Sequence, residues 1–111
     1  MRAAIAVAIA ACIGVAHAET IECPQRYAGA QLVGGSMYDG AAHEYELVGT
    51  LAEMRDGQSV AYEFPGAEVK WLACWYGKGA VQWRQVSTAV KRCEVRERRS
   101  RDRVIVMAEC K

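Results

Sequence analysis

Ser36, Asp39 and His43 fall within eight residues of one another, an assortment of hydroxyl, carboxylate and imidazole that could serve nucleophilic catalysis. A triad is defined by geometry and also needs an oxyanion site, which spacing alone does not supply. Glu44 and Glu46 form a second candidate, since two carboxylates on one strand face could act as acid and base in glycoside hydrolysis. Strand alternation already accounts for that pair as a solvated outer face. Gly34-Gly35 lacks the lysine and helix start of a phosphate-cradling loop. The chain has two histidines; with His17 in a cleavable leader, His43 alone remains, and no metal site or cofactor is expected.

The aromatic and basic residues offer recognition instead of catalysis. Trp71, Trp75 and Trp83 are placed on one sheet face by the strand pairing derived below. Rings of that size usually belong to a core. If Leu72, Cys74 and Tyr76 face inward instead, the tryptophans form an exposed stripe suited to a glycan or a partner protein. From Lys91 to Arg103 there are seven basic and three acidic residues, and Arg96 and Arg98 are the candidates there for an acidic partner. The same charges also keep a terminal hairpin soluble.

The elements that position these residues begin after an export signal. Arg2 precedes an uncharged run from Ala3 to Ala16, and Ala16-His17-Ala18 is a small-x-small cleavage site. The run is shorter than the roughly 20 residues a spanning helix needs, so residues 1–18 read as a signal peptide and 19–111 as a single mature domain. A rival reading takes Ile9-Ala10-Ala11-Cys12 as a lipobox, with the protein lipid-anchored through Cys12. Cleavage after Ala18 removes Arg2 from 14 basic residues and leaves 13 against 13 acidic ones. That neutrality argues against nucleic acid or an anionic membrane as a bulk-charge partner, and no transmembrane segment is expected in the mature chain.

Four cysteines remain in the mature chain, Cys23, Cys74, Cys93 and Cys110. An even count in a short exported protein indicates a disulfide framework in the periplasm or outside the cell. Cys93–Arg98 and Arg103–Cys110 flank a polar stretch, and setting Cys93 opposite Cys110 brings Val95 to Ala108, Glu97 to Val106 and Arg99 to Val104. Both cysteines are then cross-strand neighbours within disulfide reach. Of three possible connectivities, Cys93–Cys110 follows from that register and Cys23–Cys74 by elimination.

Elsewhere, alternation over His43–Leu51 predicts a half-buried strand. Asp56-Gly57 predicts a tight turn that pairs Leu51 with Tyr62 and Gly49 with Phe64. Val69–Tyr76 and Val81–Val90 form a further hairpin around Gly77-Lys78-Gly79, with Ala73 facing Trp83 and Trp75 facing Val81. Gln31–Tyr38 supplies another strand, interrupted at Gly34-Gly35, and Pro24–Ala30 allows a short helical turn. The expectation is an all-β domain: an antiparallel meander of about six strands in a curved sheet or small barrel, stapled by two disulfides.

Cys23-Pro24, Met37-Tyr38-Asp39-Gly40, Leu72-Ala73-Cys74-Trp75-Tyr76 and the late Cys93 and Cys110 together carry a likeness. Over nearly all the mature chain it resembles a family of small exported proteobacterial proteins with a Cys-Pro start, a central Cys-x-Tyr and two late cysteines. The chain departs from that family after Leu47, where Val48-Gly49-Thr50 replaces a Leu-x-Pro and a tryptophan. The resemblance implies no assigned activity and brings no catalytic residues. The residues themselves point to a non-catalytic periplasmic binding module, with a hydrolase inhibitor or toxin-neutralising protein as its concrete forms and an envelope protein or glycan as partner. A small envelope enzyme acting on glycans through unlocated carboxylates and a structural accessory protein are the alternatives.

Overall fold

A computed structural model describes residues 18–111; the expected export signal, Ala18 apart, and Cys12 lie outside the described residues. The described chain is all β, apart from a 3-10 turn at Gly77–Gly79. Its strands are β1 (Glu19–Glu22), β2 (Arg26–Tyr27), β3 (Ala30–Asp39), β4 (Tyr45–Glu46), β5 (Thr50–Met54), β6 (Gly57–Glu63), β7 (Lys70–Tyr76), β8 (Val81–Val86), β9 (Arg92–Ser100) and β10 (Arg103–Cys110). They form two antiparallel five-stranded sheets, one ordered β1-β10-β9-β6-β5 and the other β2-β3-β7-β8 with β4 beside β3. The sheets are stacked and not closed into a barrel, and the chain crosses between them, so the connectivity is not the simple meander expected. No helix among the described residues is long and apolar enough to cross a membrane.

The two later hairpins form in the expected register. Cys93 pairs with Cys110 and Val95 with Ala108, while Ala73 pairs with Trp83 and Trp75 with Val81. Three local expectations are corrected. The strand expected over His43–Leu51 is broken, because Tyr45–Glu46 pairs with β3 in one sheet and Thr50 begins β5 in the other. The β5–β6 turn is Arg55-Asp56, closed by Met54 and Gly57, and Leu51 pairs with Val60 where Tyr62 was expected. Gly57 therefore lies inside a strand. A Cβ there would come within 1.9 Å of the Glu97 carbonyl oxygen of β9, so close backbone approach and not turn geometry requires the glycine. In place of a helical turn, Pro24–Ala30 contains the β2–β3 hairpin, turned by Ala28 and Gly29 at φ 53° and 76°.

The core fills the space between the sheets with alternate residues of each. Leu72, Cys74 and Tyr76 of β7 and Cys93, Val95, Val106 and Ala108 of β9 and β10 are all buried. The sheets approach closely where Gly35 faces Val106; a Cβ on Gly35 would come within 2.6 Å of Val106 Cγ1. Cys23–Cys74 ties the residue after β1 to β7 and so joins the two sheets, whereas Cys93–Cys110 links neighbouring strands of one sheet. Lys70 is fully buried at the start of β7, and its Nζ donates to the carbonyl oxygens of Thr88 at 2.8 Å and Glu68 at 3.0 Å. Those bonds satisfy the cation and pin the loops on either side of the β7–β8 hairpin, while burial pushes its pKa down.

Candidate functional site

Because Leu72, Cys74 and Tyr76 point into the core, Trp71, Ala73 and Trp75 point out of the opposite side of β7. The tryptophans therefore form an outer face and not the core that ring size alone suggests. Register completes the patch: Trp71 lies between Tyr38 of β3 and Gln85 of β8, and Ala73 between Ser36 and Trp83. Ala73, at the centre, is fully covered by the surrounding rings, each of which keeps part of its surface exposed.

The rings hold one another and are held from beneath. Trp71 Nε1 donates to the Gly40 carbonyl oxygen at 2.8 Å, and Trp75 Nε1 to Ser36 Oγ at 2.8 Å. Tyr38 meets Trp83 edge-on with centroids 4.9 Å apart. The turn after β3 folds back over the sheet, with His43 at φ 47°, and lays its imidazole flat on Trp83 at 3.7 Å and 12°. His43 also meets the Trp71 ring edge-on at 5.4 Å. Three tryptophans, Tyr38 and His43 are each half-buried, so the patch is preorganised, with little rotamer freedom left to lose on contact. Burial and then the charge of nearby Glu46 raise the Tyr38 phenol above its usual pKa, which keeps it neutral.

This arrangement dissolves the catalytic candidates. Ser36 Oγ is occupied as the acceptor for Trp75, His43 is stacked on indole, and Asp39 sits opposite Tyr45 and Lys70, on the other side of β3 from Ser36. Glu44 caps its own turn by accepting from the Ala42 amide at 3.0 Å, so it does not share a strand face with Glu46. Tyr38 and His43 are the members of the patch that sequence reasoning did not assign to it. Finding them required the β3–β7 pairing, which no local spacing announces.

Arg96 and Arg98 lie elsewhere. Their neighbour Val95 is buried, so both arginines point out of the first sheet, on the far side of the sandwich from the tryptophans. Arg96 reaches Glu109 at 2.9 Å and Glu94 at 3.2 Å, and Ser59 donates to the second oxygen of Glu94. Arg98 stands 3.6 Å from Asp56. The five candidate binding residues therefore divide into an aromatic face and an ion-paired face that cannot contact one surface of a partner together.

A family model described as the type VI secretion system Tli immunity protein matches residues 24–111. The chain belongs to the Tli immunity proteins. The match covers the whole sandwich from Pro24 onward, including the aromatic face, the ion-paired face and three of the four bridged cysteines. The resemblance drawn from the cysteine pattern implied a family with no assigned activity, and the Tli family replaces that with a role: immunity, which is exercised on a partner toxin. No curated protein and no solved structure matches the chain. Two disulfides place this Tli domain in an oxidising compartment.

Proposed function

We propose that the chain is a periplasmic immunity protein that neutralises a type VI toxin by binding it, with the aromatic face as the principal contact. The observation that carries this reading is the outward cluster of Trp71, Trp75, Trp83, Tyr38 and His43, two of whose indole N–H groups are already spent on the chain's own oxygens. Such a surface has little to offer small polar ligands and much to offer an apolar protein patch, and aromatic side chains are enriched among residues that dominate binding energy. The apolar run before Ala18 and the oxidised cysteines support export, which puts the protein where an incoming toxin would be met. Nothing in the reading requires chemistry on the toxin, because occupying its active surface is enough.

The test is protection. A type VI toxin directed to the periplasm is coexpressed with the wild-type chain or with the Trp71→Ala/Trp83→Ala double variant, and survival is scored beside the melting temperature of each purified chain. Wild type rescues growth and the double variant does not, while remaining folded. Full protection by a folded double variant refutes the aromatic contact, and failure of the wild type against every type VI toxin tried refutes immunity itself.

A further inference from the structure

Among the described residues, the first sheet ends in two edge strands of different character, each paired on one side. β1, Glu-Thr-Ile-Glu, guards its edge with two carboxylates. β5, Thr-Leu-Ala-Glu-Met, has no lysine, proline or bulge, and four of its five residues are exposed. Natural sheets commonly protect such edges against pairing with other chains, so an open one marks a place where pairing is used.

The direction of the β5 backbone groups follows from the register. A two-residue turn makes Met54 and Gly57 a hydrogen-bonded pair, and pairs alternate from there, so Ala52 and Thr50 bond to β6. Contacts on the other side of β6 agree, since the Phe64 amide donates to Lys91 and the Arg99 amide to Asp56 across the β6–β9 boundary. Leu51 and Glu53 are left presenting N–H and C=O groups away from the sheet. Apolar side chains flank this row: Leu51 is 52 % exposed and Val48, just before the strand, 98 %. At the β5–β6 turn, Arg98 is answered by Asp56, whereas Arg55, the residue that follows β5, has no ion-pair partner among the described residues.

We propose that β5 is a pairing edge for an extended segment of the toxin, which joins the first sheet as a sixth strand. The segment has apolar side chains where it passes Val48 and Leu51 and an acidic one where it reaches Arg55. Main-chain bonds to Leu51 and Glu53 supply affinity, and the flanking side chains supply selectivity. This deepens the reading of the chain as a toxin-binding protein and rests on it, yet it uses a different surface from the aromatic face.

Hydrogen–deuterium exchange on the mature chain, alone and bound to the toxin that the protection assay identifies, tests the proposal. The Leu51 and Glu53 amides should exchange freely in the unbound chain and at least roughly tenfold more slowly in the complex. Leu51→Pro removes an N–H that the sheet does not use, and should weaken toxin binding at least roughly tenfold with little change in melting temperature. If that variant fails to fold, the exchange rates of the wild-type complex decide. Unchanged exchange at Leu51 and Glu53 in a formed complex overturns the pairing edge and leaves the aromatic contact standing. A free chain that sediments as a dimer with these two amides protected assigns the edge to a second copy and also overturns it. A wild-type chain that binds no toxin removes both readings together.

Discussion

The two outer faces of the sandwich follow the same alternating rule and place opposite chemistry in the outward row. On the second sheet that row holds Trp71, Trp75, Trp83 and Tyr38; on the first it holds Glu94, Arg96, Arg98 and Glu109. An ion-paired face is at ease in water, because each charge remains solvated or is answered by a neighbour, and such exposed pairs contribute little to stability. An aromatic face gains nothing from water and is retained where something else covers it. Under the proposed function, the partner lies on the second sheet, and the first sheet contributes at most its β5 edge.

The largest way to break this comparison is to separate the faces. Cys23→Ser/Cys74→Ser opens a loop of 51 residues and removes the tie between sheets; in the chain-entropy model the loss is about 4 kcal/mol. Chemical denaturation followed by tryptophan fluorescence should show that loss together with a looser aromatic face. Cys93→Ser/Cys110→Ser opens only 17 residues between strands already in register, and should cost about 3 kcal/mol while leaving the tryptophan signal of the native state unchanged. Equal spectral effects from the two pairs would erase the distinction between a clamp across sheets and a staple within one.

A smaller effect compares the faces as binding surfaces. Arg96→Ala/Arg98→Ala should leave toxin affinity within about threefold of wild type, under about 1 kcal/mol, whereas an aromatic anchor typically carries 2 kcal/mol or more. Calorimetric titration with the toxin measures this, and a loss from the arginine pair as large as that from Trp83→Ala would put the partner on the wrong face.

The smallest concerns the ionic face alone. The hydrogen bond from Ser59, opposed by burial and aided by Arg96, lowers the Glu94 pKa below its ordinary value. A carboxylate depressed in the folded state stabilises above its unfolded pKa and loses that contribution as pH falls through the folded one. Ser59→Ala should therefore cost a few tenths of a kcal/mol at neutral pH and flatten the decline of stability in the acid range, read from melting temperatures between pH 7 and pH 3. An unchanged acid limb would show that the Ser59–Glu94 contact does not matter in solution.

How much of this was legible depended on whether local spacing decided the question. The β9–β10 register was, because two cysteines and an apolar row agree on one alignment. Gly57 misled because turn formation and close backbone approach both select glycine, and only the position of β9 distinguishes them. The Tyr45 to Leu51 alternation spans two strands in two sheets, and period alone does not reveal a change of sheet at Val48-Gly49. For the tryptophans both faces of β7 are apolar, so periodicity was silent. Cys74 resolves it, since its bond to Cys23 needs the interior and sends Trp71 and Trp75 outward. Lys70 gave no sign of burial in the sequence, because its partners are main-chain oxygens of loops brought together only by the fold.

The order of the two bridges along the chain has a consequence for maturation. Cys23 bonds to the next cysteine to follow it, Cys74, and Cys93 to the next after that, Cys110, so the loops neither nest nor overlap. A polypeptide threaded N-terminus first through a translocation pore offers its thiols to an oxidase in that same succession. In a chain exported as proposed, with its leader and Cys12 removed, joining each arriving thiol to the one before it would yield this connectivity directly, without a disulfide-shuffling step.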